Sequence, residues 1–302
     1  WQFEMQDLIG KNHAKYFDEE GWQYFTKESF DLLYPSYGDT YPMFMGAIGM
    51  TYEQAGHGRA GLGISLDNGT VLTLWDRLIH HTTTGLSTVE TAINQKERML
   101  NEFKKYFTNG EMDEKAYVLR GSVERIKNVT DLLDIHEINY FSAKGSVKAT
   151  SYENNRSVNL KLSENDLVIP TDQPKGKMVK ALFEKNTKLS TPLTYDITSW
   201  SLPYAYGLKG FSVNSSLSTL SAVKSDIPAK NNIADPNAYA YIHKWGEVED
   251  AEFLGNLLEK KFNVRYSEKD ISIDGIEFER GSLIIIRGEN QHIAKFDETV
   301  IE

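Results

Sequence analysis

Cysteine is absent from the 302 residues. Its absence removes disulfides, thiolate zinc sites and any cysteine nucleophile. A disulfide-free chain is stable in either redox setting, so this assigns no compartment. No apolar run approaches the ~20 residues that a membrane-spanning helix needs. Basic charge is in deficit, with 33 Lys and Arg against 43 Asp and Glu and a net charge of −10. Nucleic-acid phosphates are met by clustered Lys and Arg, so this balance argues against such partners. The chain begins WQFEMQDLIG, without an initiator Met or a charged-then-apolar leader, and closes FDETVIE. Both ends look cut, and the expectation is a piece of a longer protein.

Catalytic motifs are also sparse. There is no G-x-S-x-G nucleophile elbow. The histidines are His13, His57, His80, His81, His136, His243 and His292. None is followed three residues later by Glu, and no H-x-H occurs. His80 and His81 are adjacent, so on a helix they diverge by about 100° and do not easily share one metal. No complete zinc site is expected.

The apolar fraction of 40% and charged fraction of 25% suit a globular chain with one large domain or two smaller ones. Residues 1–45 are rich in aromatics, and DEEGWQYFTKESFDLLYP suits a short helix followed by a loop punctuated by Pro35 and Pro42. From Ala47 to Tyr52 the pattern alternates like a strand, with Ile48, Met50 and Tyr52 on one face and Gly49, Thr51 and Glu53 on the other. GTVLTL reads as a strand after an Asn68-Gly69 turn. Leu74, Leu78, Leu86, Val89, Ile93, Leu100, Phe103 and Phe107 recur at helical spacing, with Gly85 a candidate break. TNGEMDE reads as a linker, so we expect domains at 1–109 and 110–302, the second with units of about 112–210 and 236–302.

That second part carries an internal echo. AYVLRGSVERIKNVTDLLDIHEINYFSAK (116–144) and AYIHKWGEVEDAEFLGNLLEKKFNVRYSEK (240–269) share a strand, an acidic helix start, a Leu-Leu pair and a second strand. Each is followed by a hairpin-like region and an apolar strand, DLVIPTDQP or SLIIIRGEN. The expectation is an α/β domain with a mainly parallel sheet and a βα pseudo-repeat, although shared fold constraints alone could produce the match. TYDITSWSLPYAYG (194–207) lies between the units. Asp196 and Trp200 could line a pocket there, or cap a helix and fill a core.

Gly56, Gly58 and Gly61 spell G-x-G-x-x-G. A dinucleotide loop requires strand, glycine turn and then helix, because pyrophosphate sits on the helix N-terminus. Here the third glycine leads into strand-like LGISLDNGTVLTL, which disfavours nucleotide. Glu53 remains, a carboxylate at the end of a strand-like run with small neighbours on its face, where α/β enzymes place functional groups. It could equally pair with Arg59 or cap the following loop.

LLYPSYGDTYPMFMGAIGMTYEQAG, followed by a long terminal helix, resembles the last part of the catalytic domain of zinc carboxypeptidases, specifically a large bacterial subgroup with extra C-terminal domains. The resemblance covers about Leu32–Phe107. In that family a strand of the form small-x-T/S-x-x-E carries the catalytic glutamate, and Glu53 matches it. The resemblance implies metal-assisted hydrolysis of a peptide or peptide-like substrate, with Glu53 moving the proton. It places the substrate-closing tyrosine at Tyr34 or Tyr37 and the specificity position near Asp39 or Thr40. If Asp39 points into the pocket, a basic C-terminal side chain is favoured. The family's zinc ligands and carboxylate-binding arginine lie upstream of this strand. Zinc is therefore implied for a longer parent, and this chain alone is expected to bind none and hydrolyse nothing.

The remaining two thirds look like the accessory α/β region of the same large proteins, part of which is similar to a glutamine amidotransferase fold. Export to the periplasm or medium is implied by the family only. The alternative reading is a non-catalytic binding or scaffolding module with a vestigial peptidase segment, and a third is a small-molecule site around 194–207. Oligomeric state is left open.

Overall fold

A computed structural model describes residues 1–26, 32, 34–54, 62–108, 110, 112–188, 201–223, 237–273 and 275–301. It is a mixed α/β molecule of two compact units, Trp1–Ser122 with Ile126–Ser225, and Val123–Arg125 with Asp226–Glu302. No helix among the described residues is long and apolar enough to cross a membrane.

The first unit begins with helices. α1 (Gln2–Glu20) ends where Gly21 turns left-handed, at φ 69°. After the one-turn α2 (Tyr41–Phe44), strands β1 (Gly63–Ser65) and β2 (Val71–Thr73) pair as the hairpin expected at Asn68-Gly69. Thr73 then opens α3 (Leu74–Asn94) through a reciprocal capping box with Asp76, an arrangement worth about 1 kcal/mol. The long helical pattern divides at Gln95, where α4 (Lys96–Thr108) follows, and not at Gly85. A Cβ at Gly85 would meet nothing within 4 Å, and the single glycine costs the helix only about 1 kcal/mol.

α3 is turned inside out relative to its apolar periodicity. Its buried residues are Arg77, His80, Ser87 and Thr91, while Trp75, Leu78, Leu86, Val89 and Ile93 are exposed, Trp75 by 69%. The polar face is held by α1. Asn12 Nδ2 donates to the Ser87 carbonyl at 3.1 Å and to Glu90 at 2.8 Å, and Tyr16 donates to the same carboxylate at 2.8 Å.

The rest of this unit is a sheet that closes on itself. β3 (Ala116–Arg120), α5 (Val123–Ile135), β4 (Phe141–Ser151), β5 (Ser157–Leu162), β6 (Leu167–Pro170), α6 (Gly176–Phe183), α7 (Leu202–Ala205), β7 (Lys209–Val213) and β8 (Ser221–Val223) follow in order. β6 lies between β3 and β4, β7 takes the other edge of β3, and the far end of β4 returns to pair with β7. Within β4, Gly145 takes φ 127°, and a Cβ there would stand 2.7 Å from the Thr219 carbonyl oxygen. Ala116, Val118, Val147, Leu160, Val168, Phe211 and Val213 fill the interior. Tyr117 and Leu119, on the opposite face of β3, are also buried.

The second unit holds β9 (Ala240–His243), α8 (Glu249–Glu259), β10 (Arg265–Tyr266), β11 (Ile271–Ile273), β12 (Ile276–Phe278), β13 (Leu283–Ile286) and α9 (Phe296–Ile301). Its central sheet is ordered β10-β13-β9, and β11 pairs with β12.

Every pairing among the described strands is antiparallel, which corrects the expectation of a mainly parallel sheet. The reason is a strand inserted into the crossover. β3 and β4 are joined through α5, as a βαβ unit would be, but β6 enters between them and runs against both. β13 does the same between β9 and β10.

The echo at 116–144 and 240–269 is realised in this topology, down to register. Tyr117 pairs with Ile169 as Tyr241 pairs with Ile285, and Val168 bridges Val118 and Phe141 as Ile284 bridges Ile242 and Arg265. Both helices end in the same cap. Glu137 (φ 52°) precedes Ile138, whose N–H donates to the Leu133 carbonyl at 2.9 Å. Lys261 (φ 65°) precedes Phe262, which donates to Leu257 at 2.9 Å. This is the Schellman motif, with its apolar residue buried both times. Thr171 N–H donates to the Lys115 carbonyl, as Arg287 N–H does to Tyr239. Thr171 Oγ1 reaches the Glu114 carbonyl, as Arg287 Nε reaches Ala238.

Candidate functional site

Residues 47–54 form no strand, because no neighbouring strand among the described residues offers a ladder, and burial alternates only over 50–54. The side chains of Tyr52 and Gln54 turn toward α1 and α3. Tyr52 Oη lies 2.8 Å from Thr88 Oγ1, which is 3.1 Å from His13 Nε2. The His13 and Tyr52 rings meet edge to face at 4.8 Å. Gln54 Oε1 lies 3.2 Å from His80 Nδ1, and the His80 ring packs against Trp22 at 4.4 Å. Burial lowers the pKa of both histidines below the ordinary value; Asp76 opposes it at His80, and a backbone hydrogen bond at Thr84 opposes it at His13.

Thr51 and Glu53 occupy the alternate positions and are exposed. Thr51 Oγ1 donates to Asp39 Oδ2 at 2.6 Å, and Thr40 Oγ1 lies 3.3 Å from Asp39 Oδ1. The backbone reinforces this contact at Gly49, where a Cβ would fall 1.7 Å from the Asp39 carbonyl oxygen. Only glycine permits that approach. Gln6 Nε2 donates to the Gly49 carbonyl at 2.6 Å, and Gln2 Nε2 reaches the Met43 and Ala47 carbonyls at 2.8 and 2.7 Å. α1 therefore holds the segment leading to Glu53 and the α2 turn before it, and the loop before α2 lies against that segment at Asp39.

That loop carries the other candidate residues. Tyr37 N–H donates to the Tyr34 carbonyl and Thr40 N–H to the Tyr37 carbonyl, each at 3.1 Å. The Tyr34 and Tyr37 rings meet edge to face at 4.9 Å. Thr40 is fully buried, Tyr34 and Asp39 are half-buried, and Tyr37 is exposed. The structure thus brings Asp39, with Thr40 on its other carboxylate oxygen, against Thr51, two residues before Glu53. Glu53 makes no hydrogen bond or ion pair among the described residues. Gly56, Gly58, Gly61, His57 and Arg59 lie outside the described residues, as do Asp196 and Trp200. The tie between Thr51 and Asp39 was not anticipated from sequence. Its only signal there was the placing of Thr51 on the face of Glu53.

Among the described residues, no three of His, Asp and Glu gather at metal-binding distances. Those residues do not by themselves fit a zinc ion. Elsewhere in the unit, a groove of about 570 Å³ opens beside β4, β5 and β7, lined by Tyr152, Leu160, Lys161, Tyr204, Leu208 and Phe211 among others. Tyr204 belongs to the 194–207 stretch.

Compared with family models, curated proteins and solved structures, the chain finds no match in any of the three.

Proposed function

We propose that this chain supplies the general acid/base of a zinc-dependent, carboxypeptidase-like peptide hydrolase, with Glu53 as that group. The observation that carries the reading is the alternation at 50–54. It anchors Tyr52 and Gln54 against the helices and leaves Glu53 exposed and unpaired among the described residues. A carboxylate held this way can accept a proton from water and return it to a leaving amine. Tyr34, Tyr37, Asp39 and Thr40 are the substrate-binding residues, and the Asp39 carboxylate favours a basic C-terminal side chain.

Zinc belongs, on this reading, to ligands carried by a longer parent protein, which is exported. Two features support more structure around this site. The 47–54 segment lacks a ladder partner among the described residues, and the apolar face of α3 is exposed. Residues 110–302 are accessory. The test is peptide hydrolysis by the full-length parent with Glu53→Gln. Loss of rate supports the reading, and an unchanged rate refutes it.

The second reading is a non-catalytic binding or scaffolding module. The groove beside Tyr204 and Phe211 favours it, since an open groove with aromatic walls suits a small ligand. A parent with no peptidase activity, together with ligand occupancy of that groove, would support this reading over the first.

A further inference from the structure

The two repeats differ at one edge. In the first, β7 fills the second edge of β3, with Ala116 opposite Val213 and Val118 opposite Phe211. Ala116, Val118 and Val168 are then completely buried. In the second, the equivalent edge of β9 carries no strand among the described residues. Ala240, Ile242 and Ile284, the counterparts of those three, are only half-buried, as is Ile286 beside them. α8 and α9 cover only the other face of this sheet, where Tyr241, Leu257, Ile285, Phe296 and Val300 form the core.

The edge is chemically ready. Arg287 N–H donates to the Tyr239 carbonyl at 3.1 Å. This sets 239, 241 and 243 as the positions that bond β13, so Ala240 and Ile242 turn their N–H and C=O groups away from it. An unpaired row of this kind templates an incoming strand.

We propose that β9 accepts an antiparallel strand from a partner polypeptide, one with an apolar side chain at every second residue. That strand takes the place β7 holds on β3, and its apolar side chains cover Ala240, Ile242, Ile284 and Ile286. The chemistry of the occupant is set by the first repeat, where Phe211 and Val213 of β7 cover the same face of the same kind of strand.

The test is hydrogen exchange at single-amide resolution on the 302-residue chain, with a synthetic peptide of residues 207–214 as probe. The peptide should slow exchange of the Ala240 and Ile242 amides about tenfold or more. A peptide with both Phe211 and Val213 replaced by Ser should not. Ile242→Pro should abolish the protection, and Ile284→Ser, which leaves the ladder intact, should weaken it; an unchanged Leu257 amide verifies the fold of each variant. No slowing by the peptide overturns the proposal. So does protection already present in the free chain, whether sedimentation finds a dimer, meaning a second copy fills the edge, or a monomer, meaning the chain fills it itself.

Discussion

The Thr51 hydroxyl donates to the Asp39 carboxylate at 2.6 Å, tying the loop of Tyr34–Thr40 to the segment that carries Glu53. Removing it by Thr51→Val leaves Asp39, among the described residues, with the longer contact from Thr40. In the active parent, Thr51→Val should raise KM for substrates with a basic C-terminal residue several-fold and change kcat little. Equal loss for basic and apolar C-terminal residues would contradict the place given to Asp39.

Tyr117 and Tyr241 occupy equivalent positions in the two repeats, with opposite surroundings. The Tyr117 hydroxyl is buried without a hydrogen-bond partner among the described residues, and burial raises its pKa. The Tyr241 hydroxyl donates to Asp297, which also pairs with Arg287. Tyr117→Phe should be neutral or stabilise by about 1 kcal/mol, and Tyr241→Phe should destabilise by about 1 kcal/mol. Urea unfolding of the two variants checks the opposite signs.

His13 and His80 are held neutral by burial, with folded pKa values below the ordinary one. The unfolded state therefore binds more protons than the folded state between the folded values and about 6.5. Their contribution to stability is complete above about pH 6.5 and is lost as pH falls through the lower folded values. The melting temperature should fall between pH 7 and 5, and a His13→Asn, His80→Gln variant should show a flatter profile. The same fall in the double variant would contradict this.

In the 302-residue chain alone, the exposed face of α3 should tolerate polarity. Leu86→Gln with Val89→Gln should change unfolding free energy by no more than about 0.5 kcal/mol each and reduce self-association in light scattering. Leu257→Ala, in the buried core of the second unit, should cost about 2–5 kcal/mol.

The sequence carried the repeat in its paired Ala-Tyr strand starts and Leu-Leu helices, and the structure adds the matching register and caps. Strand direction was not legible. Strand-helix-strand order reads as parallel, and only the long-range pairing of Leu167–Pro170 with Ala116–Leu119 inserts the antiparallel strand between. The inverted α3 was hidden for a similar reason. Periodicity reveals an apolar stripe, but Asn12 and Tyr16, on a helix many turns away in sequence, select the polar side for contact. At the site, alternation separated exposed Thr51 and Glu53 from Tyr52 and Gln54, but the strand it implied does not form and Gly49, expected beside Thr51 and Glu53, is buried. The loop that meets them is positioned by backbone contacts at Gly49, which leave no periodic trace.

The most direct test of the role given to Glu53 is kcat/KM for peptide hydrolysis by the full-length parent, measured together with its zinc content for wild type and Glu53→Gln. The account predicts a loss of about 10²–10⁴-fold with zinc content unchanged. An unchanged kcat/KM in the variant would contradict it.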